Sequence, residues 1–114
     1  MNRSYSLKRH KEFRYTYARG RSQSASLFTL VYARSRNESV RVGFSVSKRV
    51  GNAVQRNRAK RRMRAALTPM IGEISGGWNV IFIARPEVLD APFAEIGKQM
   101  ESLLRRAGLW RNEP

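Results

Sequence analysis

Between Lys48 and Arg64 the chain reads KRVGNAVQRNRAKRRMR, where eight of 17 residues are Lys or Arg and none is acidic. Wound on a helix at about 100° per residue, this segment sorts into two sides. Ala59, Met63, Ala66 and Leu67 fall together as an apolar stripe. Arg56, Lys60 and Arg64, spaced i, i+4, i+8, run along its edge. Asn57 and Arg61 make the next ridge, and Arg58 and Arg62 lie on the far side near Gln55. Like charges four apart destabilise a helix by roughly a few tenths of a kcal/mol per pair. Arg56–Lys60, Lys60–Arg64 and Arg58–Arg62 all carry this cost with no acid to relieve it, whereas a merely solvated face mixes its signs. A face kept cationic against its own stability suits phosphate contact, which releases condensed counterions and gives Arg bidentate partners. Arg outnumbers Lys six to two in the block, which favours phosphate and base-edge recognition over solubility. A nuclear-localisation run would share this composition but needs neither Asn57 nor the apolar stripe.

Phe13 and Tyr17 are four apart, flanked by Arg9 and Arg14. Such a pair can be a platform on which unpaired bases stack, or two rings packing a helix onto a sheet; the spacing permits both. Phe28, Tyr32 and Phe44 stand in apolar runs and read as core. His10 is the only histidine and has no second His beside it, so it reads as an exposed polar residue. The eight acids show no HExxH or DxD spacing, and the serines lack a nucleophile-elbow context. With no cysteine there is no disulfide, thiolate metal site or cysteine nucleophile, and the composition is compatible with the cytosol. No protein active site emerges; if the chain serves a cleavage reaction, the chemistry is expected elsewhere.

A net charge of +15 on 114 residues implies a polyanionic partner, either nucleic acid or an anionic membrane surface. Residues 1–70 hold 18 of the 23 Lys and Arg but only Glu12 and Glu38 among the acids, so the binding surface should come from the first two-thirds. The last third reads as scaffold. The 41% hydrophobic content supports a modest core in one domain spanning 1–114. No apolar run approaches the roughly 18 residues of a transmembrane helix, and MNRSYSLKRHKEF lacks the apolar core of a secretory signal.

These side chains need elements to hold them. Lys8 to Arg19 reads as a helix stopped by Gly20. Leu27 to Ala33 reads as a strand, residues 35–39 as a polar turn, and Val40 to Ser47 as an alternating strand. The two strands are expected to form a hairpin, with residues 21–26 adding a short edge strand. Asn52 should cap a helix over 52–67. Thr68-Pro69 reads as the cap and first position of a short second helix, closed by Gly76-Gly77. Trp78 to Ala84 (WNVIFIA) suggests a strand covered on both faces. The last helix is expected from Asp90, with Pro92 in its first turn and Phe93, Ile96, Met100, Leu103, Leu104 and Ala107 as its buried stripe. Glu95 sits early, Arg105 and Arg106 late, and Gly108 follows, as the helix dipole and C-cap prefer. The order is helix, strands, helix, strand, helix, an α+β sandwich with helices against a sheet.

The segment from Phe44 to Arg64 (FSVSKRVGNAVQRNRAKRRMR) resembles the signature of the bacterial ribonuclease P protein family. Its RNR motif corresponds to Arg56-Asn57-Arg58, followed by Lys60, Arg61 and Arg64 at the family's spacing. Leu7-Lys8-Arg9, Phe13, Tyr17 and Gly20 match the N-terminal pattern, so the resemblance covers nearly the whole chain. It implies an αβββαβα sandwich on a four-stranded sheet, with a left-handed βαβ crossover around the RNR helix. It implies the protein subunit of an endoribonuclease that removes the 5′ leader from precursor tRNA in the cytoplasm. The catalytic centre would lie in a large RNA using Mg2+, with no metal held by the protein and no small-molecule substrate. By position, Arg56, Asn57, Arg58, Lys60, Arg61, Arg62 and Arg64 would contact that RNA. Arg9, Phe13, Tyr17, Lys48 and Arg49 would line a cleft for the leader. Ser6 stands where the family often has Arg, and Tyr17 where Phe is commoner, which removes one phosphate contact and makes the second ring more polar.

Two other classes share part of this pattern. A ribosomal protein or general RNA chaperone would account for the charge and the missing active site but not for the RNR spacing. A DNA-binding architectural protein would place base-reading residues at a recognition-helix N-terminus. Here the basic ridge runs the helix's full length, which suits backbone contact.

Overall fold

The computed structural model describes residues 5–111. The first helix, α1 (His10–Arg19), ends at Gly20 and passes directly into β1 (Arg21–Ser24). Glycine is required at this corner because a Cβ there would lie 2.4 Å from the Thr16 carbonyl oxygen and 2.8 Å from Val31 Cγ1. β1 pairs antiparallel with β2 (Phe28–Arg34). β3 (Arg41–Ser45) leads through the Ser47–Val50 turn into α2 (Ala53–Leu67). β4 (Trp78–Ala84) and α3 (Phe93–Arg106) complete the αβββαβα order. No helix among the described residues is long and apolar enough to cross a membrane.

The sheet order is β1-β2-β4-β3, so β2 and β3 do not form the expected hairpin. β4 lies between them, antiparallel to β2 from Phe28↔Ala84 to Arg34↔Trp78 and parallel to β3 from Arg41↔Asn79 to Ser45↔Ile83. The reason is in the residues: β4 is apolar at almost every position and is buried on both faces only at the centre of the sheet. The polar 35–39 segment therefore crosses over the end of β4 rather than closing a tight turn. Ser35 N–H donates to the Gly77 carbonyl at 2.9 Å. A Cβ on Gly76 would fall 2.0 Å from the Glu38 carbonyl oxygen, and Gly77 has φ +83°, so both glycines at this crossing are needed.

α2 is the crossover between the parallel strands β3 and β4. Asn52 and Gln55 form a reciprocal capping box, each side chain accepting the other's backbone N–H at 2.9 Å. Ala59, Met63, Ala66 and Leu67 are buried, the stripe expected from the spacing. Thr68 does not cap a new helix; its hydroxyl donates to the Arg64 carbonyl at 2.7 Å, and a 3-10 turn (Thr68–Glu73) follows. A second 3-10 turn (Pro86–Asp90) occupies the expected start of the last helix. Pro92 is extended at φ −60°, ψ 145°, so α3 begins only at Phe93, and that ring stays half exposed rather than joining the stripe. Ile96, Met100, Leu103 and Leu104 are fully buried. Gly108 at φ +76° closes the helix in a Schellman motif, with Leu109 N–H on the Leu104 carbonyl at 2.9 Å and Gly108 N–H on Arg105 at 3.0 Å.

α2 and α3 cover one face of the sheet over Phe28, Leu30, Val80 and Phe82. α1 packs on β2 and β4. Its Thr16 is fully buried, and Val31 and Ile81 are buried on strand positions that alternate with those of the main core. The free edge of β3 is partly covered by the segment before α1: Ser6 bridges Val42, and Leu7 N–H donates to the Val42 carbonyl at 2.8 Å.

Candidate nucleic-acid interface

The stripe that buries Ala59 and Met63 turns the cations of α2 outward. Asn57, Arg58, Arg61 and Arg64 are exposed, and Lys60 and Arg56 are half-buried at the edge of the packed face. Among the described residues none of these cations is in an ion pair. Arg56 donates to the Gly51 carbonyl at 2.8 Å, which fixes its stem over the first turn. Arg62 differs: it donates to the Val88 carbonyl at 3.2 Å and to the Ala91 carbonyl. Arg62 thereby ties α2 to the turn before α3 and has fewer donors for a phosphate than its neighbours.

Phe13 and the α2 ridge meet at the β3 edge. Phe13, Ser6, Gly43, Phe44, Lys60 and Arg64 line one depression of about 160 Å³. Glycine at position 43 lets the ring in: a Cβ there would stand 2.6 Å from Phe13 Cζ. Phe44 stacks on Phe82 with centroids 6.4 Å apart, and the Arg64 guanidinium lies 6.0 Å from the Phe44 ring. A half-buried ring, a strand edge and two cations thus share one small hollow, which suits a base and its flanking phosphates.

The remaining sequence-assigned residues are spread around this hollow. Tyr17, one helical turn beyond Phe13, is 44% exposed. Lys48 and Arg49 are exposed on the turn between β3 and α2, at the foot of the cationic helix, and do not line the hollow. Arg9 precedes α1 and lines an adjoining depression with Lys8 and Arg41, on the other side of Ser6. Gly43 and Phe44 were not picked out as site residues. The alternation in Val40 to Ser47 does show Gly43 opposite the valines, where an absent side chain leaves room for another group. Among the described residues no group of three His, Asp or Glu side chains could hold a metal, and Glu12 is the one carboxylate lining these two depressions, beside their guanidinium and ammonium groups.

The arrangement has close counterparts. Residues 1–108 match the Ribonuclease P family model. The ribonuclease P protein component of Chloroflexus aurantiacus is 42% identical over 110 residues, covering 96% of this chain and 82% of that protein. The one from Symbiobacterium thermophilum is 38% identical over 114 residues and covers 99% of both. The RNase P protein of Staphylococcus aureus superposes with a TM-score of 0.84 at 30% identity, over 93% of this chain and 97% of that one. The Thermotoga maritima protein, at 23% identity and a TM-score of 0.80 over 89% and 96%, shares the fold. Family model, near-full-length relatives and fold agree with the RNR helix and its exposed cations: the chain belongs to the ribonuclease P protein family, the protein subunit of the endoribonuclease that matures tRNA 5′ ends.

Proposed function

We propose that the subunit divides its work between two RNA contacts, with α2 docking on the catalytic RNA and the Phe13 hollow holding the 5′ leader of precursor tRNA. The observation that carries this reading is the hollow itself, where Phe13, Lys60 and Arg64 converge at β3. Asn57, Arg58 and Arg61 point away from it on exposed turns of α2 and are free to meet a second RNA surface. Arg56 and Lys60 lie at the boundary between the two. Lys48, Arg49 and Arg9 extend the positive surface around the leader path, while Arg62 contributes mainly by fixing α2 to the turn before α3.

Cleavage itself is assigned to the RNA and to Mg2+ ions held there. The donor set at the protein surface does not suit a divalent cation, since a hard cation takes oxygen ligands and carboxylates above all. What this chain's residues supply is positioning and charge. Arg and Lys neutralise phosphates that would otherwise repel one another where leader, tRNA and catalytic RNA come together. The RNA should therefore need less Mg2+ when the protein is present. Cytoplasmic location follows from the same reading, as the compartment where precursor tRNA is processed.

Phe13→Ala tests the division of labour. The variant holoenzyme should bind precursor tRNA more weakly by about 1–3 kcal/mol, the worth of one base–aromatic stack, and bind mature tRNA as before. Equal losses for both substrates would make Phe13 a packing residue only and remove the leader from this hollow.

A further inference from the structure

α1 has a second flank that neither the RNR helix nor the Phe13 hollow uses. At about 100° per residue, with Thr16 toward the sheet, Phe13 and Tyr17 fall to one side and Glu12, Tyr15 and Arg19 to the other. Along this second flank lie two depressions, of about 470 and 440 Å³, that meet at Tyr15 and Arg34.

Two independent features mark the trough. Its rim is cationic: Arg19, Arg21, Arg34 and Arg36 line it, with Glu12 the single acid among the described lining residues. It also presents flat groups. Tyr15 is 47% exposed, with its hydroxyl donating to the Arg34 carbonyl at 3.3 Å. The Arg34 guanidinium sits 5.1 Å from the Trp78 ring centroid, and Trp78 leans on Tyr32 at 5.9 Å. A guanidinium already backed by an indole is a preorganised plane on which a base can stack. Its lining also includes a buried amide, Asn79, which is 4% exposed. The Asn79 Oδ1 and the Nε of Arg41, its register partner on β3, are both buried without a hydrogen-bond partner, so this polar pair belongs to the sheet beneath the trough.

We propose that this trough is a second site for single-stranded RNA, taking one or a few unpaired nucleotides on the flank of α1 opposite Phe13. A base stacks on Tyr15 or on the Arg34–Trp78 pair, and the flanking phosphates meet Arg19, Arg21 and Arg36. An acidic peptide would answer the arginines but leave the stacked planes unused. The inference rests on the chain working on RNA, and the strand can belong either to the catalytic RNA or to precursor tRNA.

The test is a Tyr15→Ala/Arg34→Gln double variant, both exposed positions, beside Phe13→Ala. One arm measures affinity for a bacterial ribonuclease P RNA alone; the other measures affinity of the assembled holoenzyme for precursor tRNA. A folded double variant should lose roughly tenfold in one arm, and the arm affected identifies the source of the strand. Loss by the double variant with no effect of Phe13→Ala would support this site and sink the leader hollow. Unchanged affinity in both arms would overturn the proposal. If the double variant fails to fold, a photo-crosslinker at position 15 of the otherwise unaltered holoenzyme decides. Crosslinks to RNA support the site; crosslinks from position 17 with none from position 15 overturn it.

Discussion

The contact between Gly43 and Phe13 shows how one missing side chain can set the shape of a surface. The ring occupies the space that a Cβ at position 43 would take, 2.6 Å from Phe13 Cζ. Gly43→Ala should displace the ring and weaken precursor tRNA binding in the same direction as Phe13→Ala, while mature tRNA binding stays unchanged. Undiminished precursor binding would show that the ring's seat on the strand is irrelevant. Met63 sits at the opposite extreme, fully buried under the cationic helix. Met63→Ala should cost about 2–5 kcal/mol in stability, read by urea denaturation. A cost within the range of surface substitutions would contradict the placement of the α2 stripe. The stripe was legible because helical periodicity is local and Ala59, Met63, Ala66 and Leu67 repeat it. The hydrogen bonds of Arg62 were not, since their acceptors at Val88 and Ala91 are some 26 and 29 residues away along the chain. Asn79 was absorbed into the apolar run WNVIFIA; its unpaired oxygen depends on the neighbouring strands.

At the scale of elements, α2 accepts like-charge repulsion along its outer face and is held by its cap and by its buried side. Asn52→Ala should cost about 1 kcal/mol through loss of the capping box, with no change in the charge presented to RNA. A neutral effect on stability would mean the cap bonds do not count. If about four α2 cations meet phosphate, log affinity for the catalytic RNA should fall against log salt with a slope near −3 to −4. Arg58→Gln with Arg61→Gln should flatten that slope by roughly 1.5, and an unaltered slope would take these two exposed arginines off the RNA. The elements themselves were largely readable: β4 runs from Trp78 to Ala84 as its apolar letters suggest. The pairing of strands was not. The polar 35–39 segment looks like a hairpin turn, yet β4, arriving more than 40 residues later, takes the place beside β2 because only the centre of the sheet buries both its faces. Sequence-adjacent pairing lost to a non-local burial requirement. The start of α3 moved from Asp90 to Phe93 because a 3-10 turn ends at Asp90 and the extended Pro92 holds the chain out of the helix until it is passed.

Across the whole molecule, charge and core are divided along the chain. Residues 71–114 contribute the central strand and α3, whose Ile96, Met100, Leu103 and Leu104 are fully buried. The first 70 residues carry 18 of the 23 Lys and Arg. The nearly neutral scaffold portion thus braces a strongly positive one that carries α1, β3 and α2. This division was visible in composition. Which cation faces which RNA was not, since that depends on how α1, the β3 edge and α2 come together. The central claim is that the protein positions RNA and that RNA performs the cleavage. The measurement that addresses it most directly is 5′ maturation of a precursor tRNA at low Mg2+ by a bacterial ribonuclease P RNA, with and without this protein. The account predicts that the protein restores cleavage by the RNA and that the protein alone cleaves nothing. Tight RNA binding without restored cleavage, or cleavage by the protein alone, would contradict it.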